Sequence, residues 1–232
     1  MKFKYSKERP IYLNILYFLV AFIGTFVLPS LFSGIYTSLF NIQNAKVLTL
    51  MGNFTFILIL YLMYKKDLDK EFKTFTKDFK KNFKTGFKYY IAGLLAMIVF
   101  NLFISVIIKD VSTNESLVRD MLFKMPIYTM ISISIIAPLS EELTFRKSIE
   151  PLIKNKWIYA LSCGLLFGAC HLIAGEFKLI NLLYLLPYGS LGFVFALMDK
   201  ETKTTFTSIM MHMLHNTATG LLLLLAFKLG AV

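Results

Sequence analysis

Seven apolar runs, at roughly residues 10–32, 47–64, 89–108, 126–146, 157–175, 179–198 and 205–229, dominate this chain of 232 residues. Each approaches the ~20 residues needed to cross a bilayer's hydrocarbon core. Inside lipid the backbone has to satisfy its own hydrogen bonds, which a single crossing segment does only as a helix. The expected fold class is therefore all-α: a polytopic membrane protein of about seven transmembrane helices, forming one integral-membrane domain over residues 1–232. Composition agrees, with 56% hydrophobic and only 17% charged residues, 23 of the side chains being Phe. Lys2, Lys4, Lys7 and Arg9 precede the first run as they would in a signal peptide. No small-residue cleavage site follows "FLVAFIGTFVLPSLF", so an uncleaved first helix is expected.

The net charge of +11 follows from topology rather than from a nucleic-acid partner. Nineteen of the 25 Lys and Arg residues fall in residues 1–9, 65–88, 146–156 and 199–204, the four segments on one side of alternating crossings. Only Lys46, Lys109, Arg119, Lys124, Lys178 and Lys228 fall on the other side. The positive-inside rule then puts the N-terminus in the cytoplasm, the C-terminus outside, and the chain in the cell membrane. Its partner on that reading is the lipid bilayer.

The one long hydrophilic stretch, residues 65–88, carries Leu68, Phe72, Phe75, Phe79, Phe83 and Phe87 at spacings of three and four among lysines. That stripe predicts an interfacial amphipathic helix at an anionic membrane surface. A docking surface for an amphipathic part of a substrate is the other reading. Cys163 and Cys170 stand seven residues apart in one helix, a rise of ~10 Å that excludes a disulfide between them.

Charged groups in an apolar span are costly and read as functional by default. "PLSEELTFRK", residues 138–147, brings Glu141, Glu142 and Arg146 to the end of the fourth run, and His171, His212 and His215 also lie within spans. Glu142 and Arg146 are four apart, so they share a face and can pair. Glu141, about 100° around the helix, is left to point elsewhere. Phe167 with His171, and His212 with Asn216, repeat the spacing of four, with His215 on nearly the same face as His212. Three helices thus offer polar groups to one cavity. A carboxylate beside a histidine can take a proton from an attacking water, and a second histidine with an amide can donate to the oxyanion. A polar clamp between helices, an ion path and a zinc site built from Glu141, His171, His212 and His215 are the alternatives that spacing leaves open. The zinc-protease signature H-E-x-x-H is absent, "YGSLG" around Ser190 is not a nucleophile elbow, and Cys170 and His171 point about 100° apart.

Three motifs in order, E-E-x-x-x-R at Glu141–Arg146, F-x-x-x-H at Phe167–His171 and H-x-x-x-N at His212–Asn216, resemble the CAAX protease and bacteriocin-processing family, also called Abi. The resemblance covers about residues 126–220 and implies an α-helical intramembrane endopeptidase. It implies that Glu141 and His171 activate water and that His212 and Asn216 form the oxyanion site, with Glu142, Arg146 and Phe167 in supporting positions. His215 matches no defining position and is a neighbour that can donate from behind. The expected role is maturation of a secreted or membrane peptide, such as a peptide pheromone or a bacteriocin. The alternative is a non-catalytic scaffold or bacteriocin self-immunity protein. No cofactor is expected, because Asn216 is a poor zinc ligand and a good oxyanion donor; zinc is the alternative. If the fourth span ended at Arg146, Glu141 would lie only ~8 Å deep against ~21 Å for His171 at 1.5 Å per residue. A helix continuing to Glu150, stopped by Pro151, with Arg146 inside the protein, is expected instead.

Overall fold

A computed structural model describes residues 4–175 and 178–231, and among these every regular element is helical. Lys2, counted above among the charges ahead of the first span, lies outside the described residues. Three long helices come first: α1 (Ile11–Phe40), α2 (Ala45–Lys77) and α3 (Phe79–Ile107). A short α4 (Thr113–Lys124) follows, then an interrupted segment. In it α5 (Pro126–Ile131) passes into a π-helical turn (Ser132–Ile136), then α6 (Ala137–Glu142), then a second π turn (Leu143–Lys147). The chain ends with α7 (Lys156–Cys170), a 3-10 turn (Leu179–Tyr184) leading into α8 (Leu185–Thr202), and α9 (Thr205–Lys228).

The chain is thus an all-α, multi-pass membrane protein. Among the described residues, five helices are long and apolar enough to cross a membrane: α1, α2, α3, Leu179–Thr202 and α9. The two remaining apolar runs take other forms. That at 126–146 is broken by the π turns, and that at 157–175 supplies only the 15 residues of α7. Apolar side chains on the outer faces, such as Leu102 and Val106 of α3, are exposed, as lipid contact requires.

Residues 65–88 are helical but do not form a separate interfacial helix. The chain turns at Asp78 (φ −107°, ψ 30°), so the first half of the stretch extends α2 and the second half begins α3. The Phe stripe is used for packing as well as exposure. Phe72 and Phe75 sit against Phe206 of α9 at ring distances of 5.3 and 6.0 Å, and Phe75, Phe79, Phe83 and Phe87 follow one another at 5.5 to 6.2 Å.

This lysine-rich end of the bundle is closed by ion pairs. Lys147, 1% exposed, meets Glu71 of α2 and lies 3.0 Å from Glu150. Glu71 also accepts the Thr205 N–H at 2.9 Å, capping the start of α9. Asp67 accepts from the backbone and hydroxyl of Ser6 at 2.9 and 3.0 Å and faces Arg9 at 3.8 Å, tying down the segment ahead of α1. At the opposite end, Phe123 of α4 stacks on Phe227 of α9 with centroids 4.2 Å apart.

Helices α7 and α8 approach closely through glycines, the small-residue packing that membrane helices use. A Cβ built on Gly164 would stand 2.7 Å from the Gly189 carbonyl oxygen and 3.2 Å from the Phe193 Cβ. Because backbone cannot yield as a flexible side chain does, Gly164→Ala should force the helices apart and cost about 1–3 kcal/mol. The check is the thermal midpoint in detergent, which should fall for Gly164→Ala. It should hold or rise for Gly34→Ala, where nothing lies within 4 Å of the new methyl.

Candidate functional site

Glu142 is fully buried, and its Oε1 is met by two partners. Arg146, one turn on and equally buried, places Nη1 3.1 Å from Glu142 Oε1. The guanidinium is at ion-pair distance but aims no N–H along a hydrogen bond. Instead it lies over the rings of Phe167 and Phe195, 4.5 and 5.6 Å from their centroids. The hydrogen bond to Glu142 comes from α9: His212 Nδ1 is 2.8 Å from the same Oε1. A nitrogen facing a carboxylate oxygen carries the proton, which assigns the Nδ1–H tautomer to a neutral ring. His212 Nε2 then faces Glu141 Oε2 at 3.7 Å. One imidazole thus stands between the two adjacent glutamates.

The π turn before α6 has a cause in the sequence. Pro138 lacks an N–H and its ring would clash with the carbonyl four residues back, so the regular helical register fails there. The Ala137 N–H bonds to the Ser132 carbonyl, five residues back. In that register the partner of the Ile133 carbonyl would be Pro138, which has no proton to give. Asn216 of α9 fills the vacancy, its Nδ2 donating to Ile133 O at 2.8 Å. The proline therefore creates the acceptor that holds Asn216 in place, and the amide keeps a second N–H for the cavity. Such π turns recur at functional sites.

His171 stands just past the last turn of α7. Its Nδ1 is 2.7 Å from the Phe167 carbonyl oxygen, which can only accept, so Nδ1 donates and Nε2 keeps its lone pair. Phe167 links the site: its ring is 4.4 Å from that of His171 and 5.8 Å from that of His212, with Arg146 on it. His215 touches Tyr90, Nδ1 to hydroxyl, at 3.4 Å. A cavity of about 310 Å³ is lined by Glu141, Phe167, His171, His212, His215 and Asn216 together. Every residue picked out from the three motifs except Glu142 and Arg146 lines it, and those two form its buried support. Ser190 spends its hydroxyl on the Pro187 carbonyl at 2.8 Å, and both cysteines are free thiols. Among the described residues no three His, Cys, Asp or Glu side chains group as a metal site.

Tyr188 is the residue that sequence reasoning missed. Its ring stacks on His171, with centroids 4.4 Å apart and planes at 22°, and its hydroxyl is 2.7 Å from Ser112 Oγ. No spacing rule within one helix points to it, because the contact depends on how α8 packs against α7.

The sequence profile of the type II CAAX prenyl endopeptidase Rce1-like family matches residues 123–218. Those residues hold every group described above except Tyr90 and Ser112. In this region the chain is similar to that family. A protein named "Putative membrane peptidase YdiL" from Bacillus subtilis (strain 168) is 31% identical over 109 residues, 46% of this chain and 41% of that protein. The chain thus matches less than half the length of this curated relative. No solved structure matches the chain. The family region is the interrupted segment with α7, α8 and the first part of α9, whereas α1 to α3 lie outside it.

In this region the buried Glu142 charge is the point of failure. Arg146→Met should leave it uncompensated and destabilise the fold by about 3–5 kcal/mol. Adding Glu142→Gln to that variant should restore part of the loss in detergent unfolding curves. No recovery would show that Arg146 acts through its shape between Phe167 and Phe195, not its charge.

Proposed function

We propose that this chain is an intramembrane endopeptidase that hydrolyses a peptide bond with water activated by Glu141, without a metal. The observation that carries the reading is the single imidazole of His212 between Glu142 and Glu141, on the wall of a cavity shared with His171 and Asn216. Water sits between Glu141 and the His171 Nε2 lone pair, donating one proton to each. Its oxygen bonds to the scissile carbonyl carbon while the proton moves to Glu141. The resulting oxyanion accepts from the second Asn216 N–H, and from His212 Nε2–H when that ring is doubly protonated with its Nδ1–H on Glu142. The C–N bond then breaks and Glu141 returns its proton to the leaving amine. Carboxylate, two histidines and an amide supply each step, which is why zinc is dispensable here.

The family profile matched by residues 123–218 and the putative-peptidase name of a relative support proteolysis. A secreted or membrane peptide such as a pheromone or bacteriocin is the proposed substrate, in a cell membrane with the N-terminus in the cytoplasm. The rival, a scaffold or self-immunity protein without catalysis, draws on the Asn216–Ile133 bond, which clamps α9 to the interrupted segment.

Glu141→Gln separates the two, since it keeps shape and removes the base. The folded variant should lose turnover while retaining its biological effect only if the scaffold reading holds. Asn216→Ala should lower kcat by about 10²–10³ with KM little changed. A loss in KM alone would remove Asn216 from the oxyanion role. Activity of the purified protein should survive exhaustive chelation; loss with recovery on stoichiometric zinc would overturn the metal-free mechanism and leave the residue set standing.

A further inference from the structure

The site cavity extends away from the lysines. Toward the lysine-rich end the floor is sealed: Glu142, Thr144, Arg146, Ser148 and Thr207 are at 0% exposure and Lys147 at 1%. A second cavity of about 640 Å³ lies beyond that floor, among Asp67, Lys70, Glu71, Glu150 and Asp199, and it shares no lining residue with the site. In the other direction the site cavity runs along α9 from His212 past Asn216 to Leu223, about 16 Å at 1.5 Å per residue. It meets the last part of α3 at Asn101, and the start of α4 at Asn114 and Glu115. A third cavity, about 300 Å³, is lined at that same end by Asp110, Thr113, Leu172 and Gly175, and shares His171, Ser112 and Tyr184 with the site. His171 therefore stands where two cavities meet, both at the lysine-poor end.

We infer that water and substrate reach Glu141 from the lysine-poor face, which the positive-inside rule assigns to the non-cytoplasmic side. Building on the proteolytic reading above, this names the substrate class. It is a peptide segment already carried across the membrane, or the outer part of a membrane-anchored peptide, and not a cytoplasmic tail. Between its polar rim and the catalytic groups the cavity wall is apolar, with Met97, Ile133, Leu191 and Leu223. An extended segment with apolar residues flanking the cleaved bond fits that passage. The lysine and Phe stretch at 65–88 is then an anchor on the opposite face and takes no part in docking.

The test uses single cysteines in a chain made cysteine-free by Cys163→Ala and Cys170→Ala. Asn114→Cys marks the rim, Thr219→Cys and Leu223→Cys mark the cavity wall, and Lys154→Cys marks the opposite face. A membrane-impermeant maleimide applied to intact cells should label Asn114→Cys and at least one wall position as fully as it does in permeabilised cells. Lys154→Cys should react only after permeabilisation. The reverse pattern overturns the orientation, and a labelled rim with both wall positions protected overturns the passage. Labelling needs no catalysis, so it decides access even if Glu141→Gln proves fully active and the proteolytic reading falls.

Discussion

A carboxylate enclosed among apolar helices has to be neutralised, and the cost of leaving Glu142 alone sets the geometry of the rest. One partner, Arg146, comes from the next turn of the same segment, and the other, His212, comes from α9. The first contact fixes which way α6 is rotated. The second fixes where α9 crosses it. With both satisfied, Glu141 is carried about 100° around the helix and so faces the cavity. Two adjacent glutamates thus receive opposite environments, one buried in the protein and one at a wet surface, from a single local rule of helix geometry.

The second constraint is Pro138. A proline within a helix normally weakens it, and here the helix responds by widening into a π turn whose carbonyl at Ile133 has lost its partner. Asn216 supplies the missing hydrogen bond across 83 residues of sequence. The same amide lines the cavity, so holding the fold and forming the cavity wall are one arrangement. Irregular backbone at membrane depth is tolerated where it is enclosed by protein or lines a cavity, and both conditions hold here. The long spans α1, α2 and α3 take the lipid-facing role, and the interrupted segment, α7, α8 and α9 carry the polar groups.

What the sequence made legible was whatever one helix encodes by itself. Glu142 pairing with Arg146, Phe167 with His171, and Arg146 lying inside the protein all follow from spacing of four and from the cost of exposed charge in lipid. The split of residues 65–88 between two helices was not legible, because the Phe stripe continues unbroken through Asp78 and periodicity is blind to a turn that preserves phase. Nor was the second contact of His212, with Glu142, which depends on how α9 crosses α6. Tyr188 was hidden for the same reason. It lies beside Gly189, in the pentapeptide considered only for Ser190, and its meaning depends on α7 and α8 packing closely enough to stack it on His171.

The helix expected to run on to Glu150 ends as regular structure at Lys147 and continues only as turns, so length does not close the depth difference counted between Glu141 and His171. Counting residues along each span treats catalytic groups as points on straight rods, and on that count they stay apart. The ring of Phe167, one turn before His171, fills the interval. It touches His171, His212 and the Arg146 guanidinium, so groups approached from different levels share one wall. This gives the aromatic position of the second motif a physical role. A smaller side chain would leave His171 and His212 facing across a void and would uncover the cation that holds Glu142. A polar one would compete for that cation. The motif needs a large apolar ring there, because that residue joins the buried charge to the open cavity.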